Sequence, residues 1–107
     1  QGIGQALIER TVFAEDGQLI TGTFNDYAMP RADDLPFYNF ETRNVPCATN
    51  LLGIKGAGEA GSIGSSPAVM NAVVDALNRA AGKTHIDMPA TPAAIFEALH
   101  GSPDAST

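Results

Sequence analysis

Glu59 is the acidic side chain in this sequence best placed to do chemistry. It stands in Gly53-Ile54-Lys55-Gly56-Ala57-Gly58-Glu59-Ala60-Gly61-Ser62-Ile63-Gly64, where five of twelve residues are glycine. Backbone with so few side chains can approach another group closely. A carboxylate there can face a pocket together with the backbone N–H groups of its neighbours, shortly before a helix N-terminus. Burial of such a carboxylate raises its pKa and makes it a usable general base near neutral pH. The plain alternative is a solvated loop glutamate.

The same stretch contains Gly56-Ala57-Gly58-Glu59-Ala60-Gly61, which fits G-x-G-x-x-G. That pattern alone is weak evidence for a dinucleotide site. The site needs a strand running into the loop and an acidic residue at the end of a second strand about 20 positions on. Here Pro46 to Leu52 is not strand-like, and Asp75, the acid at that distance, falls within a helical pattern. A glutamate inside the loop would also repel a pyrophosphate. Cys47, His85 and His100 are too few and too scattered for a zinc site, so no protein metal ligand is assigned. Cys47 reads as a buried, inert thiol, and Tyr27 as a packing residue with a satisfied hydroxyl.

Several elements must position this loop. Ile3, Ala6, Leu7 and Ile8 have helical spacing over residues 2–10. Thr11–Phe13 and Leu19–Phe24 are β-rich runs separated by Glu15-Asp16-Gly17-Gln18, where Asp-Gly signals a hairpin. Residues 25–34 read as a loop, Phe37–Arg43 as a third strand, and Ile86–Met88 as a short one. After the glycine loop, Ser65-Ser66-Pro67 has the form of a helix start, with serine at the N-cap and proline first inside. The apolar face of residues 67–81 is then Val69, Val73, Ala76, Leu77 and Ala80, and Gly82 ends the helix. Thr91-Pro92 opens a last helix with Ile95, Phe96 and Leu99 on one face. The pattern predicts an α+β (α/β) fold, a small mixed sheet with a hairpin packed against two or three helices. So few strands would leave sheet edges unpaired, which suggests neighbours in a larger domain.

The chain of 107 residues is one domain at most. Its 12 acidic and 6 basic residues give a formal charge of −6, which argues against nucleic acid and anionic membranes as partners. No apolar stretch approaches a membrane span. Gln1-Gly2-Ile3-Gly4 lacks the features of a signal peptide. With one cysteine, no internal disulfide can form. A cytoplasmic location is the expectation. Because Gln1 falls inside a helical pattern, the chain reads as a fragment of something longer.

The run Leu52–Gly61, followed by Pro67–Leu77, resembles the C-terminal signature of the xanthine dehydrogenase/aldehyde oxidase family, the molybdenum hydroxylases. It is most similar to the carbon-monoxide-dehydrogenase-like large subunits. Gln1–Leu7 and Asp26–Ala32 resemble the same family in the same order, so the likeness runs from residue 1 to about residue 100. One departure is Asn50-Leu51-Leu52-Gly53, where the family commonly has Asn-Pro-Leu-Gly.

The resemblance implies that residues 1–107 form the C-terminal part of a molybdenum cofactor-binding domain, with 100–107 as a frayed tail. It implies Glu59 as the base that takes a proton from the hydroxyl on the metal during oxidative hydroxylation of an aldehyde, purine, N-heterocycle or carbon monoxide. Lys55, Gly56, Gly58 and Gln1 are implied to lie near the cofactor. For Lys55 an ion-pair role stays open, and for Gln1 a helix-surface amide. Molybdopterin is the implied cofactor, in the cytosine dinucleotide form, with FAD and 2Fe-2S clusters in partner subunits or domains. The implied partners are the rest of the large subunit, the FAD and iron–sulfur subunits, and a small-molecule substrate. Two rivals remain, a nucleotide-binding module using the G-x-G-x-x-G loop and a structural or assembly domain without catalysis. No cofactor is expected in the isolated chain, because tight binding needs a preorganised site and the other walls are missing. Metal analysis of the purified 107-residue chain should therefore find no stoichiometric molybdenum; a full complement would overturn this expectation.

Overall fold

Three helices carry the regular structure in the computed structural model, which describes residues 1–101. They are α1 (Gly2–Leu7), α2 (Ala60–Ala81) and α3 (Pro92–His100), with one 3₁₀ turn at Ala32–Asp34. Among the described residues no β-strand forms, so the expected mixed sheet with its hairpin is corrected to a helical arrangement joined by long irregular segments.

The reasons differ along the chain. At residues 12–20 the Asp16-Gly17 turn does close. Gly17 adopts φ 85°, Ala14 N–H donates to the Gln18 carbonyl at 2.8 Å, and Ile20 N–H donates to the Val12 carbonyl at 2.9 Å. Pairing then stops at a single antiparallel bridge between Phe13 and Leu19. The Val12 N–H is taken by the Thr21 hydroxyl at 3.0 Å rather than by a ladder carbonyl. Phe13 and Ile20 remain more than half exposed, so no apolar face holds the pair flat. Two paired segments alone are marginal in water. The Phe37–Arg43 segment has strand composition but no backbone partner among the described residues. Residues 86–88 likewise form no strand.

The helix in the second half starts earlier than its caps suggest. α2 begins at Ala60, directly after Glu59, and runs 22 residues with Pro67 inside it. Proline in a helix interior removes one hydrogen bond and crowds the preceding turn. Gly61 and Gly64 add further cost. Tertiary packing on α1 offsets these local preferences. Ser66, expected near the N-cap, instead sends its hydroxyl to the Gly2 carbonyl of α1 at 3.2 Å. At the other end local chemistry holds as read. Gly82 takes φ 67° and its N–H caps the Asn78 carbonyl at 2.8 Å. Thr91 caps α3 by accepting from Ala94 N–H at 3.2 Å. The tail expected at 100–107 begins at the last residue of α3, His100, and from residue 102 it lies outside the described residues.

Close approach of α1 and α2 depends on glycine. A Cβ at Gly2 would overlap Ser65 Oγ and lie 2.9 Å from Ser66 N; one at Gly4 would collide with Glu9 and Pro30. Ala90 N–H donates to the Ala6 carbonyl at 2.7 Å and so draws the approach to α3 onto α1. Tyr27 hydroxyl donates to Glu9 Oε2, anchoring the 23–31 loop to the end of α1.

The buried apolar residues are Ala6, Leu77 and Ala90. On α2, Val69 and Val73 are half-buried, whereas Ala76 and Ala80, expected on the core face, are exposed. Phe24, Phe37, Phe40, Leu51 and Leu52 are each at least 79% exposed, which is far from what a self-contained core allows. The accessible area is 8991 Å², against about 5,700 Å² for a compact monomer of this mass. The radius of gyration is 18.3 Å, against about 13 Å for a compact chain of 100 residues. The isolated chain should accordingly show helical circular dichroism, bind a hydrophobic dye such as anilinonaphthalene sulfonate, and melt without a sharp transition. A cooperative melt with no dye binding would mean that these helices bury enough apolar surface by themselves.

Candidate active-site segment

Glu59 sits at the N-cap of α2 with φ −112° and ψ 1°, and its side chain caps nothing. It is exposed and makes no side-chain hydrogen bond or ion pair among the described residues. Its carbonyl accepts from Ile63 N–H at 3.1 Å and from the Ser62 hydroxyl at 3.1 Å, so the backbone is fixed while the carboxylate is free to engage another group. Around Gly56, Gly58, Gly61 and Gly64 nothing lies within 4 Å of where a Cβ would be. One face of the segment is therefore bare backbone.

Upstream of the loop a compact turn sets the direction of entry. Asn50 holds Ile54 from both sides: Nδ2 donates to the Ile54 carbonyl at 2.8 Å, and Oδ1 accepts from Ile54 N–H at 3.2 Å. Gly53 adopts φ 65° and its carbonyl accepts from Cys47 N–H at 2.9 Å. The asparagine side chain thus mimics backbone pairing across the turn.

A cavity of about 440 Å³ lies between the start of α1 and the start of α2. Gln1, Gly2, Gly58, Gly61, Ser62, Ser65 and Tyr38 contribute to its lining. It brings together Gln1 and Gly58, two candidates separated by more than half the chain. Lys55 is not part of it. That residue borders a second hollow of about 490 Å³ with Arg43 and Asn44, and has no ion-pair partner among the described residues. Gly56 borders neither. A larger cavity of about 750 Å³ beside Tyr27 and Arg31 contains none of the candidates. In the sequence Ser62 and Ser65 read as caps or loop and Tyr38 as part of a strand, and only the fold brings them to this cavity.

The cavity could form one wall of a cofactor site, mixing polar groups with the apolar side chains of Ile3, Pro30 and Leu35. Glycines at positions 58 and 61 leave backbone open to close approach, and Gln1 and Ser62 offer hydrogen-bonding groups. Among the described residues no cluster of three metal-ligating side chains occurs.

The family described as molybdopterin cofactor-binding domain matches residues 1–36, the part that contains α1 and Gln1. The 6-hydroxypseudooxynicotine dehydrogenase complex subunit gamma of Paenarthrobacter nicotinovorans is 41% identical over 94% of this chain. The nicotine 6-hydroxylase large subunit of the same organism is 38% identical over 94%. Quinoline 2-oxidoreductase from Pseudomonas putida 86 superposes with a TM-score of 0.77 and 34% identity over 95% of this chain. The chain belongs to the molybdenum hydroxylase family, as a segment of the large subunit. It spans 13%, 12% and 13% of the lengths of these three proteins, respectively. No helix among the described residues is long and apolar enough to cross a membrane.

Cys47, read as a buried inert thiol, is only half-buried, and its Sγ lies 3.1 Å from the Thr49 hydroxyl. The hydrogen bond from Thr49 favours the thiolate and lowers the pKa of Cys47. Alkylation by iodoacetamide should therefore show a midpoint below the ordinary thiol value. Thr49→Val should move that midpoint up and slow alkylation near neutral pH, since less thiolate is then present. An unchanged midpoint in Thr49→Val would show that Thr49 is not the cause.

Proposed function

We propose that this chain is the part of a molybdenum hydroxylase large subunit that carries its general base, and that Glu59 is that base. The observation that carries the reading is the placement of Glu59. It follows Gly58, which borders the cavity shared with Gln1, and its carboxylate is free on an otherwise bare backbone face. Gln1 and Gly58 would hold the cofactor from one side. Lys55 and Gly56 would approach it only from the other end of the glycine loop. When bound, the molybdenum cofactor supplies the two-electron oxidation. Glu59 accepts a proton at a carboxylate oxygen and holds it while the substrate is oxidised. Fixing its backbone through Ile63 and Ser62 limits the motion of the carboxylate, which favours a productive geometry.

In the whole protein the substrate would be a small molecule with an electron-poor carbon: an aldehyde, purine, N-heterocycle or carbon monoxide. The N-heterocycle class draws support from two matched proteins, the nicotine 6-hydroxylase large subunit and quinoline 2-oxidoreductase. The cytosine dinucleotide form of molybdopterin, and FAD and 2Fe-2S groups in partner subunits or domains, complete the proposal. One relative is named as a subunit of a dehydrogenase complex, which is consistent with such partners.

Neither rival draws similar support. A dinucleotide site needs a strand abutting Gly56 and a helix opening at Gly58. Here the preceding residues form a turn and the helix starts at Ala60. Glu59 is exposed and unpaired among the described residues, so the base reading takes its burial from the rest of the large subunit, and the buried, ion-paired carboxylate of a purely structural role is not seen either.

The test is Glu59→Gln in the complete enzyme, followed by single-turnover reduction by substrate. The amide is nearly isosteric and should leave fold and cofactor content unchanged. It cannot take up a proton at neutral pH, so the step should slow by at least about 10²–10⁴-fold. Glu59→Asp shortens the side chain by one methylene and should cost about 10²-fold through misplacement. If fully loaded Glu59→Gln is reduced within a few-fold of the wild-type rate, Glu59 is not the base.

A further inference from the structure

We propose that the contact between Gly2 of α1 and Ser65-Ser66 of α2 is the positioning element that sets Glu59 relative to Gln1; this rests on the reading of Glu59 as the base. The carboxylate has no side-chain partner of its own among the described residues, so its placement must be inherited from the backbone on either side. Upstream, the Asn50 turn closes on residues 47–54, and its hydrogen bonds reach neither α1 nor α2. It can orient the loop locally but cannot fix its distance from Gln1.

Downstream the situation differs. Glu59 is the N-cap of a continuous helix, and Ser65 lies six residues further along it. At 1.5 Å per residue that is about 9 Å of helix. Such a span transmits a displacement at one end to the other. At that point α2 meets α1 without slack. Gly2 is buried, a Cβ there would overlap Ser65 Oγ and lie 2.9 Å from Ser66 N, and the Ser66 hydroxyl donates to the Gly2 carbonyl at 3.2 Å. The backbone nitrogen cannot rotate aside as a side chain can. Gly2 is covalently next to Gln1, while Ser65 is carried by the helix that begins after Glu59. One contact therefore couples the two ends of the cavity. Gly2, Ser65 and Ser66 act through Glu59 and touch no reacting group in this proposal, so they are positioning residues.

The test is a double-mutant cycle in the intact, cofactor-loaded enzyme, with Gly2→Ala and Glu59→Gln singly and together. Single-turnover reduction is read alongside hydrogen–deuterium exchange of residues 56–64, molybdenum content and substrate dissociation constant. Gly2→Ala should slow reduction by about 10²-fold, the cost of a displacement near an ångström, and should speed exchange across 56–64. Molybdenum content and substrate binding should stay at wild-type values. In the Glu59→Gln background Gly2→Ala should add nothing, because contacts that act through one group are not additive. If Gly2→Ala does not fold, Ser66→Ala takes its place in the same cycle, with a smaller effect in the same direction and recovery in Ser66→Thr. A wild-type rate in the positioning variant, or equal slowing with and without the Glu59 carboxylate, overturns the proposal while leaving the base intact. A fast Glu59→Gln single variant removes the base reading and this role together.

Discussion

Gly2 has no side chain, and the packing of the two halves of this chain depends on that absence. The contact with Ser65 and Ser66 is close enough that a methyl group would collide with backbone. It joins residues more than sixty positions apart through the Ser66–Gly2 hydrogen bond. Around it gather Ala6, which is fully buried, and Ala90, whose N–H reaches the Ala6 carbonyl. Small residues at a helix crossing exchange side-chain volume for proximity, and here proximity creates the cavity between Gln1 and Gly58. Larger residues at this crossing would separate the helices and widen that cavity.

The same contact explains why α2 tolerates its own sequence. Gly61, Gly64 and Pro67 all disfavour helix in the interior. A helix started at Pro67 would satisfy local preference better, and it would leave Ser66 and Ser65 in a loop without the register needed to meet α1. Packing on α1 offsets that preference and carries the helix back to Glu59. The glutamate is thereby moved from the middle of a loop, where the sequence places it, to the N-cap of a helix.

Much of the apolar surface stays uncovered. Phe24, Phe37, Phe40 and Leu51 face outward among the described residues, a pattern that fits a segment spanning about an eighth of its relatives' length. The β-rich runs suffer most from this. A helix satisfies its backbone within itself, whereas a strand needs a neighbour. Among the described residues Phe37–Arg43 has the composition of a strand and no partner, and Val12–Ile20 has a turn and a single bridge. Strand signals in a sequence state a preference whose fulfilment depends on residues elsewhere.

What the sequence determined by itself is whatever is decided within a few residues. The Asp16-Gly17 turn, the Gly82 helix end and the Thr91-Pro92 helix start follow from backbone freedom, missing donors and short-range capping, and each stands as read. The family was legible too, because separated motifs around Gln1, Tyr27 and Glu59 occur in order. Only the tertiary structure decided where α2 begins, that Gln1 and Gly58 share a cavity while Lys55 borders another, and that Ser62, Ser65 and Tyr38 join the first of these. Those outcomes rest on contacts between residues far apart in the chain. No local preference encodes how closely Gly2 lets one helix approach another.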